Sequence, residues 1–367
     1  VMGHTNAQIK KQAQAHADNL LAVEAVSNVV AHAEAVGVAA AGGFVAGSVS
    51  GLGVSTTVGA STKATVAGNI DSRIDTSPNK PQLKVLATTT NNLLARLESV
   101  ALTAGMWTGA LAVGSAAALD TSNTEALLQA GASVVATDVS IAATSTHDVH
   151  AKAYGGAGAL PLGGAIAGFS ATALLGSAGD LKTGITQADI NHDVSLLNAR
   201  SITVTAAGTN VVDADLVTVA AGLISGAGAH ALAEVWGDVT ADMNKVANVS
   251  GAVAVSAVSS EALAANAKGG GVGGVGVTAL FAEARSHTAT TASVASSDTS
   301  TVGSLNVKAE AKTRTVNALI DMGGIAILGG GGGRSEADAD GNITALLSGK
   351  ITTNVGGIQV QALNAGT

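Results

Sequence analysis

His147 and His150 form the most metal-like spacing in the chain, an H-x-x-H with Asp148 between them. On a strand, positions i and i+3 point to opposite faces, so the two imidazoles cannot share one ion. Asp189, His192 and Asp193 gather in a turn-like stretch and read as a solvated turn. Asp338, Asp340 and Asn342 echo a calcium loop, but no glutamate completes it, and the spacing is not that of a Gly-Gly-x-Gly-x-Asp nonapeptide. The run Gly329 to Gly333 lacks the following Lys-Ser/Thr of a phosphate loop. No G-x-S-x-G with partners for a nucleophile occurs. Charges are spread along alternating faces rather than gathered into the acidic and basic cluster that a polysaccharide lyase needs. The sequence therefore assigns no catalytic residue, no metal ligand and no cofactor-binding residue, and the chain is read as not an enzyme.

Composition points to architecture instead. The 367 residues include 47 Gly, 3 Pro and no Cys, with 47% hydrophobic, 12% charged and 2% aromatic residues. An ordinary soluble domain is about 25% charged, and a disordered tail is polar and charged. A core without rings is built from Ala, Val, Ile, Leu and Gly, in layers too thin for aromatics. Net charge is −8, and no basic cluster exceeds Lys10-Lys11, which disfavours nucleic acid. The absence of Cys fits an exported protein. Three charge-free windows, Gly37 to Val54, Leu102 to Leu119 and Ala153 to Gly179, reach the length of a membrane span. They are rich in Gly, Ser and Thr and lack a Trp/Tyr belt or flanking basic asymmetry, so no transmembrane span is assigned. The chain begins at Val1 without the pattern of a signal peptide and reads as a segment of something longer.

The organising feature is a repeat of apolar-x-apolar-x-Ala. It occurs at 83–87, 139–143, 202–206, 253–257, 305–309 and 358–362, at intervals of 56, 63, 51, 52 and 53 residues. A degenerate seventh copy is expected near Ile9. Residues 1–367 thus read as one array of degenerate repeats of about 52 residues.

Alternation of period two makes the repeats β rather than helical. Val307, Ala309, Ala311 and Thr313 alternate with Lys308, Glu310, Lys312 and Arg314, one set buried and the other solvated. Glu283, Arg285 and His287 alternate with Ala282, Ala284 and Ser286, and Asp148, His150 and Lys152 with Val149, Ala151 and Ala153. Gln12, Gln14, His16 and Asp18 do so with Ala13, Ala15 and Ala17. Interior Gly would also cost a helix about 0.8–1 kcal/mol each. The Gly/Ala-rich middles, such as 269–280 and 322–333, lose the alternation and read as strands covered on both sides. That cover comes from the repeat's own fold or from a lateral seam against a second copy.

The fold class is therefore all-β, a repetitive β-solenoid of parallel β-helix type. Each repeat makes two or three narrow coils, or one wide flattened turn. With no capping segment evident, the array is expected to continue, by covalent chain or by stacking. Thr203-Val-Thr205 matches the T-x-T of ice-binding solenoids but does not recur in the other copies.

The repeats, joined by Gly/Ala-rich strands, resemble the shafts of filamentous haemagglutinin-like and leukotoxin-type filamentous adhesins, very large bacterial surface proteins. The resemblance implies a right-handed parallel β-helix, exported by a type V-like route, that projects from the cell and adheres or assembles. No functional residue carries over. The expected function is a non-catalytic structural segment of an extracellular or cell-surface filament. Its expected partners are further copies of itself and a host or cell-surface glycan or protein. A carbohydrate-binding or carbohydrate-cleaving β-helix is the alternative, with Trp107, Tyr154 and Trp236 as the available aromatics. A membrane barrel would need aromatic girdles that the composition lacks.

Overall fold

A computed structural model describes residues 1–17, 19–71, 82–177, 183–197, 199–245 and 249–365. Asp18 and the last two residues of the third charge-free window lie outside them. The described chain is all-β, and every strand pairing in it is parallel. Two strands, β1 (Met2–Ile9) and β2 (Gln14–His16), precede the first complete coil. That coil comprises β3 (Leu20–Gly42), β4 (Val45–Val66) and β5 (Asn69–Asp71). The second comprises β6 (Gln82–Gly105), β7 (Trp107–Asp120), β8 (Asn123–Leu128) and β9 (Ser133–Val135). The third comprises β10 (Asp138–Pro161), β11 (Gly164–Leu175), β12 (Thr186–Ile190) and β13 (Ser195–Leu197). The fourth comprises β14 (Ser201–Ala221), β15 (Ile224–Val235) and β16 (Val239–Met243). In the fifth and sixth, strands run through the corners as β17 (Val249–Ser286), β18 (Thr290–Met322), β19 (Ile325–Ala339) and β20 (Ile343–Thr353), and β21 (Ile358–Asn364) starts the next.

Each repeat is thus one wide coil. Val139 lies beside Leu83 and Ile202 beside Val139, so the sequence period is the hydrogen-bonded period. The motif positions form three inward ladders, and their first members correct the expected seventh copy. It is not at Ile9, which pairs with Val66. It is Leu21, Val23 and Ala25, in register with Leu83, Val85 and Ala87.

Each coil has a long first wall, a returning second wall and a short closing side. Two cores lie inside. One, at the closing side, is ringed by all three walls and filled by Leu83, Val85, Ile141, Ile190 and their ladder neighbours. The other is a thin lobe in which the first wall faces the second, and Ala dominates it. Ala33, Ala95, Ala151, Ala214, Ala265 and Ala318 form one lobe ladder through all six coils. The chain's low aromatic content follows from this thinness. Phe169 is the aromatic ring in the lobe core, and glycines make room for it. A Cβ at Gly155 would lie 2.1 Å from its ring and 2.4 Å from the Ser99 carbonyl oxygen.

The structure departs from the sequence reading in two places. Within one chain the Gly/Ala-rich middle 269–280 is covered on one side only, by the opposite wall, so the repeat's own fold does not supply the second cover and the lateral seam remains. The alternation after Ala311 also reverses. Ser259 pairs with Ala311 but Ser260 with Thr313, which leaves Lys312 as a bulge residue. One extra residue flips every later side chain to the other face. Arg314 therefore points inward and is buried, whereas Thr313 faces out. Among the described residues no helix is long and apolar enough to cross a membrane.

Because the lobe has no slack around Phe169, Gly155→Ala is expected to lower stability by about 1–3 kcal/mol. Urea unfolding of the two chains measures it, and an unchanged midpoint would show that the walls can spread.

Candidate functional site

The residues singled out for chemistry are not brought together. His147 points into the coil and is buried, while His150 faces outward. There His150 Nε2 lies 2.6 Å from Asp148 and Nδ1 3.1 Å from Asp213 of the next coil. Hydrogen bonding to Asp213, with the charges of both carboxylates, raises its pKa against the opposing effect of burial. His192 pairs with its neighbour Asp193 at 3.1 Å on an exposed turn. Asp340 contacts His287, and Gly329 to Gly333 lie within strand β19. Trp107 is exposed in the second coil, Tyr154 faces outward in the third, and Trp236 stacks on His287 at 3.9 Å between ring centroids. Trp107 and Trp236 stand at opposite ends of the second wall, in coils two and four, and Tyr154 stands on the first wall, so they form no common platform. Among the described residues no group of three or more His, Asp or Glu could hold a metal ion.

The interior holds a polar file that separates the two cores. Asn91, His147, Asn210, Glu261 and Arg314 stack in register, one per coil from the second to the sixth, with Val29 at this position in the first. Asn91 Nδ2 donates to Asp120 Oδ2 at 2.9 Å and to Ser122 Oγ at 2.8 Å. His147 Nδ1 lies 2.7 Å from the same Asp120 oxygen, and the Ser122 amide donates to Oδ1 at 2.9 Å. Burial alone pushes the Asp120 carboxyl up. The charge and hydrogen bond of His147, with the Ser122 and Asn91 donors, outweigh burial and hold it below the ordinary carboxylate range. Further along, Glu261 accepts from Ser286 at 2.5 Å and lies 3.3 Å from Arg314 Nε. Arg314 Nη2 also donates to the Thr288 carbonyl at 2.8 Å. Flanking hydroxyl pairs, Thr124 with Thr89 and Thr290 with Ser259, add to the file. In the fourth coil Gly208 and Val239 fill the same space apolarly, since a Cβ on Gly208 would lie 2.7 Å from Val239.

Sequence reasoning missed this file although a signal existed. Asn91, His147, Asn210 and Glu261 each lie four residues after a motif Ala, at an inward position. Arg314 lies five after its own because of the bulge. What the file can do is fix register: an axial slip would strand buried charges without partners.

Outside, charges cover much of the lobe's walls but stop short of its narrow edge. The three charge-free windows run around the narrow edge where first wall turns into second. Each coil leaves large apolar residues open there, among them Val45, Trp107, Leu162, Ile224, Val275 and Leu328. A typical monomer's largest apolar patch is about 300–600 Å², and this stripe continues from coil to coil. It is the candidate functional surface.

Two substitutions test the polar groups. Asp120→Ala leaves His147, Asn91 and the Ser122 amide without their acceptor and should cost about 3–5 kcal/mol in urea unfolding at neutral pH. Because the folded Asp120 pKa is depressed, its contribution is present above the ordinary carboxylate value of 3.8 and is lost as pH falls through the lower folded value. Asp189 has the opposite sign. Burial and the charge of Asp242 in the next coil raise it from 3.8 to about 6. Its contribution is complete below 3.8 and lost as pH rises through about 6. Asp189→Asn should therefore stabilise the chain at pH 7 by about 1–2 kcal/mol after solvent screening. Thermal melts across pH check this, and a gain that persists unchanged below about pH 4 would contradict it.

The comparisons with known proteins supply no relative: no family model, no curated protein and no solved structure matches the chain.

Proposed function

We propose that this chain is a length of non-catalytic shaft from an extracellular bacterial filament or surface adhesin, which self-associates through its Gly/Ala-rich strands. The observation that carries the reading is the unbroken register of the motif ladders from Leu21 to Ile358. A stack hydrogen-bonded along its axis at every coil resists bending and stretching. Six coils at roughly 4.8 Å advance only about 29 Å, so most of the chain goes into cross-section rather than length. That is the economy of a stiff rod.

The exposed edge supports self-association. An apolar stripe parallel to the rod axis offers a contact surface at every coil, and the acidic balance keeps the free form soluble. Carbohydrate recognition has no such support, because the aromatics do not form a stacking platform.

Electron microscopy and fibre diffraction of the native material test the reading. Fibres of uniform width with a reflection near 4.8 Å along the fibre axis are expected. Compact, monodisperse particles at high concentration would overturn it.

A further inference from the structure

We infer that the outer face of the second wall, next to the lobe edge, is a homodimer surface that takes a second copy of this chain in antiparallel orientation. The inference deepens the proposed self-association by naming its surface and geometry, and it rests on that reading. It comes from two neighbouring outward ladders.

The first ladder reads Gly47, Gly109, Gly164, Ile224, Val275 and Leu328 through coils one to six. The second reads Val49, Leu111, Ile166, Gly226, Val277 and Gly330. In coils one to three the first ladder is a groove and the second a ridge. In coils four to six the first ladder becomes the ridge. The groove is open: a Cβ built on Gly109 meets nothing within 4 Å. The ridges are open too, with Val49 68%, Ile166 60% and Ile224 62% exposed.

A two-fold axis along the strand direction, between coils three and four, lays each ladder on itself with the coil order reversed. Gly47 then receives Leu328, Gly109 receives Val275 and Gly164 receives Ile224. On the second ladder Val49 meets Gly330 and Ile166 meets Gly226. Five of these six contacts set a large side chain against glycine; the sixth, Leu111 against Val277, sets apolar against apolar. Because both rods share one coil spacing, all six contacts form together. Charge agrees with this arrangement. Beyond the ridges, Arg334, Glu283 and Arg285 of the later coils face uncharged positions of the earlier ones, including Gly53, Ala117 and Leu119. No like charges meet. Six coils by about eight residues of strand give roughly 750 Å² per copy, close to the approximately 800 Å² per partner of a standard interface. A lipid surface fits less well. It has no coil register to match, and the chain carries net charge −8. The antiparallel contact would join shafts that run toward one another.

Sedimentation velocity of the 367-residue chain tests the proposal. The wild type should dimerise. Gly109→Leu, at a position where an added Cβ meets nothing within 4 Å, should weaken the dimer at least tenfold. Exchanging the pair in one chain, Gly109→Val with Val275→Gly, should restore it to within threefold. Because the protein has no Cys, orientation can be read by mixing two single-cysteine chains, Val113→Cys and Ala279→Cys. These face each other only in the antiparallel dimer, so the mixture should form a disulfide-linked heterodimer. Neither chain alone should cross-link, since its own cysteines sit about 14 Å apart along the rod.

A wild type that stays monomeric at roughly 100 µM, far above the Kd of a standard-sized interface, would overturn the inference. So would Gly109→Leu dimerising as wild type, or cross-linking by either single chain alone. A monomer that floats with phosphatidylcholine vesicles, Gly109→Leu included, would assign the face to lipid and overturn it as well. These failures are separable from failure of the shaft reading. A monomer whose native parent still forms axial 4.8 Å fibres removes the pairing and leaves the shaft, whereas compact native particles remove the shaft itself.

Discussion

Hydrogen bonding between coils in one fixed register is the constraint on which the rest depends. A parallel ladder places residue i of one coil against its counterpart in the next, and the period-two pleat sends both to the same face. Every inward position is thus repeated along the axis. The motif ladders, the Ala ladder of the lobe and the polar file are three outcomes of that one rule. They differ only in what the repeated position contains.

The rule also explains the two cores. Near the closing side three walls leave space that Leu, Ile and Val can fill. In the lobe two walls face each other directly, and Ala ladders bring them close. Between the cores the polar file works against slippage. Apolar ladders are nearly indifferent to which coil they meet, because Val on Val resembles Val on Ile. Asp120 with His147, and Glu261 with Arg314, are not indifferent, since each of these buried ionisable groups has a single ionisable partner within reach. The file adds specificity where the apolar ladders add bulk stability.

The outer surface divides in a related way. Along the charged part of the walls, pairs bridge neighbouring coils, as Lys63 does to Glu125 at 2.6 Å and His150 to Asp213. Such exposed pairs contribute little each, but they keep those faces wet. At the edge no charge serves that purpose, and glycine and large aliphatic residues alternate instead. That edge, apolar in every coil and shaped into ridge and groove, is what the proposed pairing rests on.

The sequence by itself determined the period, the β character and the thin aromatic-poor core, because each is a local or repeating property. Alternation is visible in six residues, and the motif spacing is visible as an interval. Lys308 to Arg314 shows the limit: the alternation reads cleanly, yet one bulge residue set only by pairing with the fifth coil sends Arg314 inside. Leu21 to Ala25 is a different case: the motif stands complete in the sequence, and its pairing with Leu83 to Ala87 identifies it as the first copy. Only the tertiary structure decided that each repeat is a single coil, that Asp120 and His147 meet, and which face of the Gly-rich strands stays open. Those facts depend on which distant residue lies alongside, and an apolar chain with many near-equivalent registers does not announce that choice one residue at a time.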